Sequence, residues 1–60
     1  MSPTARAYCN LAITDINLGN HEEAIDWLRY ALRGCRDRRA WSKIMLAIRE
    51  LSRIAPQATS

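Results

Sequence analysis

Between residues 4 and 18 apolar side chains recur every three or four positions. Tyr8, Leu11, Ala12 and Leu18 form one stripe, and Cys9, Ile13 and Ile16 form a second, flanked by Asn17. That spacing returns side chains to the same side of a 3.6-residue turn, so it predicts a helix. Gly19 and Asn20 interrupt it, and Ala24, Leu28, Ala31 and Leu32 resume the same period. After Gly34, the series Trp41, Ile44, Met45, Ile48, Leu51 and Ile54 carries it on to Pro56. The pattern predicts an all-α chain, one domain over 1–60, with helices at about 4–18, 21–33 and 38–55.

The residues between the stripes fit the ends of those helices. Ser2 or Thr4 is expected to cap the first, with Pro3 tolerated in its opening turn. Gly19 ends it in the left-handed conformation that other residues avoid. Asn20 is expected to cap the second helix, with Glu23 three residues on completing a capping box. Glu22, Glu23 and Asp26 lie near that positive end, where each carboxylate is worth a few tenths of a kcal/mol. Gly34 stops the second helix and Asp37 is the natural cap of the third. The tail Gln57-Ala58-Thr59-Ser60 is expected to be loose.

Small residues at Ala12 and Ala24 let two antiparallel backbones approach closely, with Tyr8, Leu11 and Leu28 expected to fill the space around them. Residues 5–32 resemble one tetratricopeptide (TPR) repeat, a helix–turn–helix unit of about 34 residues. Tyr8 matches the first aromatic, Leu11 and Ala12 the following leucine and small residue, and Gly19 the turn. Ala24, Leu28 and Ala31 match the alanine–aromatic–alanine series of the second helix. The resemblance implies a TPR-like helical hairpin, closed at its C-terminal side by a capping helix that covers the second. It also implies a protein-binding role, with the inner face of the first helix as the docking surface: Arg6, Cys9, Ile13, Ile16 and Asn17. The chain departs from the family pattern at Asp15 and His21, where aromatics are usual, and at Arg36, where a proline usually closes the unit. An unpaired buried carboxylate is costly, so either the first helix is rotated from the family orientation or Asp15 faces water.

The first helix is apolar on more than one side, and such a helix is expected to be buried all round. A three-helix unit has too few neighbours for that, since 60 residues bury only about 60% of their unfolded surface. The spare stripe therefore predicts a surface for self-association or for a peptide, and a homodimer or larger assembly. Charge adds a direction. The net charge of +3 is split unevenly. Up to residue 28, Arg6 stands against Asp15, Glu22, Glu23 and Asp26. Beyond it Arg29, Arg33, Arg36, Arg38, Arg39, Lys43, Arg49 and Arg53 stand against Asp37 and Glu50. This polarity favours head-to-tail or antiparallel pairing of copies, or an acidic protein partner at the basic patch Arg33, Arg36, Arg38, Arg39 and Lys43.

Candidate chemistry is sparse. His21 stands alone in a turn, Cys9 and Cys35 are far apart and expected to be free packing thiols, and Gly34 and Gly19 form no phosphate loop. No enzyme activity, cofactor or metal is expected. The opening Met1-Ser2-Pro3-Thr4 has neither the basic start nor the apolar run of a secretory leader, and no segment approaches a membrane span, so a cytoplasmic setting is expected. The basic run with Trp27, Tyr30 and Trp41 nearby also fits a small helical DNA-binding regulator. Against that alternative, the second helix opens His21-Glu22-Glu23, which phosphate repels. The expected role is a small protein–protein interaction module: an adaptor, a chaperone-like protein or an inhibitor that covers a partner.

Overall fold

In a computed structural model that describes residues 2–55, three helices follow one another: α1 (Pro3–Asn17), α2 (His21–Arg33) and α3 (Arg38–Ile54). The fold is all-α, with no strand among the described residues. Met1, Pro56 and the tail 57–60 lie outside them. Ser2 caps α1, its hydroxyl accepting from the Ala5 N–H at 3.1 Å with Pro3 in the first turn. Asp37 caps α3 by accepting from the Arg39 N–H at 3.0 Å.

The α1–α2 turn corrects the expected capping box. Gly19 sits at φ +82°, and its N–H donates to the Ile16 carbonyl at 3.1 Å. The Asn20 N–H donates to the Asp15 carbonyl at 2.8 Å. Together these make a Schellman closure, which satisfies the last carbonyls of α1. The Asn20 N–H that Glu23 was expected to bind is thereby already used. The Asn20 side chain makes no capping hydrogen bond either. Glu23 is left free to turn toward α1.

α1 and α3 both pack on α2, and no Cα of α1 comes within 8 Å of one in α3. The two interfaces differ in kind. Ala5 and Ala12 of α1 meet Ala24 and Ala31 of α2, and all four are almost completely buried. The rest of the core is aliphatic: Ile25 and Leu28 of α2 with Ile44, Ile48 and Leu51 of α3. Gly34 leaves α2 without positive φ, but close approach explains it. A Cβ there would meet Ser2 Oγ at 3.1 Å and Ala5 Cβ at 3.6 Å, so the end of α2 passes directly beside the start of α1.

Two packing expectations are overturned, at Leu11 and at Trp41. As expected of a helix with too few neighbours, α1 is not buried all round: Ile13 is exposed and Ile16 sits at the edge of exposure, and Leu11 and Leu18 of the other stripe are exposed as well. Leu11 does not fill space around the alanines, because a seam this thin leaves no room for it. Trp41, placed by its spacing in the buried stripe of α3, is 45% exposed. Of the two alternatives left open for Asp15, exposure to water is excluded: it is buried on the α2-facing side of α1.

The alanine seam yields a direct test. Ala24→Leu should destabilise the fold by about 1–3 kcal/mol through overpacking. Ala7→Leu, on the exposed side of α1, should change stability by less than about 0.5 kcal/mol. Parallel thermal melts followed by circular dichroism decide it, and equal melting of the Ala24 variant and the parent would show that the helices do not cross there.

Candidate functional site

α1 presents two different flanks on either side of its alanine seam. The first carries Arg6, Cys9, Ile13, Ile16 and Asn17. Cys9 is half-buried against the core, while Arg6, Ile13 and Asn17 face solvent. Ile13, 55% exposed, is the apolar high point of this flank. Cys9 and Cys35 are both free thiols. Burial, and then the neighbouring Cys35, push the Cys9 thiol above its ordinary range, so it stays protonated and unreactive at neutral pH. Cys35 donates a weak hydrogen bond to the Asp37 carbonyl at 3.5 Å.

The same end of the molecule holds part of the basic patch. Arg36 borders two open concavities of about 420 and 510 Å³. One is lined by Cys35, Arg36, Arg38, Trp41 and Ser42, the other by Ser2, Arg33, Gly34 and Arg36. Ser2, the N-cap of α1, lines the second concavity and stands one turn before Arg6 on the same side of the helix. The fold thus sets Arg33 and Arg36 beside the start of α1, and Arg38 in the neighbouring concavity with Cys35 and Trp41. Arg39 and Lys43 line neither concavity; a helical period places them with Leu46, on the side of α3 away from Ile44 and Ile48. Trp41 stands at the rim of the α3 stripe, 45% exposed and lining the first concavity with Arg36 and Arg38.

The second flank was not anticipated as a site. Tyr8 stacks on Trp27 with centroids 5.7 Å apart, and Tyr30 closes the group at 5.6 Å from Tyr8. Arg33 lies over the Tyr30 ring at 5.3 Å. Leu11 and Leu18 project beside the cluster, 44% and 70% exposed. Asp15 lies between them in sequence. It is 6% exposed, and its buried Oδ2 has no hydrogen-bond partner. A hydrogen bond between the Asp15 and Glu23 carboxyls, and then the Asp15 charge, push the Glu23 carboxyl above its usual range. Some desolvation and Asp26 add to this, while the Trp27 indole opposes it. Glu23 can donate to the Asp15 carboxyl only while it keeps its own proton. The signal in the sequence was Asp15 itself, an acid in an apolar stripe. Among the described residues no three His, Cys, Asp or Glu side chains gather as a metal set, and no helix is long and apolar enough to cross a membrane.

The carboxyl pair makes a pH prediction whose sign is fixed. Because Glu23 holds its proton more tightly when folded, its contribution is fully present below the ordinary glutamate range and is lost as pH rises through the folded value. Glu23→Gln, uncharged and able to donate to Asp15, should therefore melt higher than the parent at pH 7. The gap should close as pH falls below the ordinary glutamate range. Asp15→Asn, nearly the same size and able to donate to the Glu23 carboxylate, should also raise the melting temperature at neutral pH. Melting curves of the three proteins across pH 3–8 check both signs, and a gap that widens in acid would refute the shared proton. Comparison with protein-family models, with curated proteins and with solved structures finds no match to this chain.

Proposed function

We propose that this chain is a small protein–protein interaction module, a TPR-like hairpin closed by a third helix, with no catalytic role. Its docking surface is the α1 flank Arg6, Cys9, Ile13, Ile16 and Asn17 together with the basic mouth at Arg33, Arg36 and Arg38. The observation that carries this is an exposed Ile13 on α1 in a molecule whose α1 start, at Ser2, shares an open concavity with Arg33 and Arg36. Such a surface fits a protein segment that pairs apolar side chains with an acidic end. Ile13 supplies contact energy, about 1.5–3 kcal/mol if fully covered and before association costs. The arginines supply orientation and encounter rate. Adaptor, chaperone-like and inhibitory roles share this chemistry, and a cytoplasmic setting suits two free thiols.

A second reading has one observation in its favour. Trp41 stands half-exposed in the concavity beside Arg36 and Arg38, the pairing of aromatic face and cations that nucleic acids use. Against it stand the exposed isoleucine ridge, which nucleic acid does not need, and the acidic opening of α2.

Capture from host lysate on immobilised protein separates the readings. Ile13→Asp should abolish capture of a protein partner while leaving the melting curve nearly unchanged. Arg36→Glu should weaken capture mainly by slowing association. Duplex DNA titrated into the wild type should bind weakly, without sequence preference, and be lost near about 0.2 M salt. Nanomolar, sequence-dependent DNA binding at physiological salt, insensitive to Ile13→Asp, would replace the first reading with the second.

A further inference from the structure

The second flank of α1 and the free side of α3 match each other. On α2, Glu23, Trp27 and Tyr30 share one side, and the buried Ile25 and half-buried Leu32 lie on the other, where α3 packs. The molecule thus has two opposite ends. One end is apolar and acidic: Leu11 and Leu18 stand out around buried Asp15, with Glu23 exposed beside it. The other end is the side of α3 turned away from Ile44, Ile48 and Leu51. Leu46 stands there 59% exposed, with Lys43 and Arg49 three residues to either side and Arg39 and Arg53 seven. Only Glu50 breaks the positive field, and it is held by Arg53 at 3.7 Å.

We propose that these two ends bind each other between copies: the Leu46–Arg49 face of one chain docks head-to-tail on the Leu11–Leu18–Glu23 face of the next. Three features identify a second copy as the occupant. The charges are complementary, and both ends belong to the same molecule on opposite sides of α2. Each end carries exposed leucine at its centre, so contact covers apolar surface on both partners. The acceptor end also holds two adjacent carboxyls that have no cation against them among the described residues, and a guanidinium seated on Glu23 offsets the repulsion that Asp15 imposes on it. Because the two faces are different, the contact is heterologous. It leaves an unused end on each side and so builds open chains or rings in place of a closed symmetric pair. This surface is separate from the Arg6–Asn17 flank, which stays uncovered along such a chain.

Sedimentation of the full chain from low micromolar to millimolar concentration provides the test. The wild type should grow past twice its 6.9 kDa mass as concentration rises, and high salt should reverse the growth. Two variants block one end each with neutral polar groups: Leu11→Asn/Leu18→Asn at the acceptor and Leu46→Asn/Arg49→Gln at the donor. All four positions are exposed. Either variant alone should associate at least about tenfold more weakly than the wild type. Mixing the two should restore a single contact and give a 1:1 pair that grows no further. If a leucine variant loses helicity by circular dichroism, Arg49→Gln/Arg53→Gln must still weaken wild-type growth. A monomer throughout, a dimer that stops at twice the mass, or a mixture that fails to pair would each overturn the proposal.

Discussion

Everything about the outer surface of this protein follows from how closely α1 lies on α2. Four alanines, Ala5, Ala12, Ala24 and Ala31, form the seam, and none leaves more than a trace of surface exposed. Helices held apart only by methyl groups gain dispersion contacts along their backbones but leave no volume between them for a larger side chain. The leucines and isoleucines of α1 are therefore displaced to its flanks. Leu11 and Leu18 emerge on one side and Ile13 on the other, so a helix rich in apolar residues buries only Ala5, Ala12 and Asp15. The aliphatic core forms instead between α2 and α3. The first helix is held by fit, and its hydrophobic side chains remain available to other molecules.

The tight turn between α1 and α2 has a second consequence. Closing α1 through Gly19 uses the backbone N–H of Asn20, which fixes the Asp15 carbonyl and releases Glu23 from a capping role. Glu23 then meets the Asp15 carboxyl, and two acids share a place suited to one charge. A protein tolerates such an arrangement when stability is not the only demand on the site. The pair lies on the edge that carries Leu11, Leu18 and the Tyr8–Trp27–Tyr30 cluster. The aromatic cluster ties the two helices together at this edge.

Charge is distributed by helix as well as by sequence half. The acidic residues collect where α1 ends and α2 begins, and the cations collect around the α2–α3 connection and along α3. The cations then divide. Arg33, Arg36 and Arg38 surround the concavities near the start of α1, while Arg39, Lys43, Arg49 and Arg53 line the outer side of α3. A single basic run in sequence thus becomes two surfaces facing different directions, each beside exposed apolar side chains of its own.

Local signals in the chain were enough to determine the helices. The three-and-four spacing, Ser2, Gly19, Gly34 and Asp37 define all three, because each acts within a turn or two of its own position. The small residues that bring α1 against α2 were legible for the same reason: Ala12 and Ala24 stand in a helical stripe and nothing larger competes with them. What the sequence could not decide was which side chains a neighbouring helix would actually cover. Leu11 and Trp41 have the period of buried residues, yet both are half-exposed, since burial at the rim of a stripe depends on the distance and reach of the next helix. The capping box at Asn20 and Glu23 had the right spacing, but a tertiary closure of the preceding helix took its backbone donor. Asp15 was recognisable as an anomaly, and only the packing of α2 beside it settled that it is buried and set against Glu23.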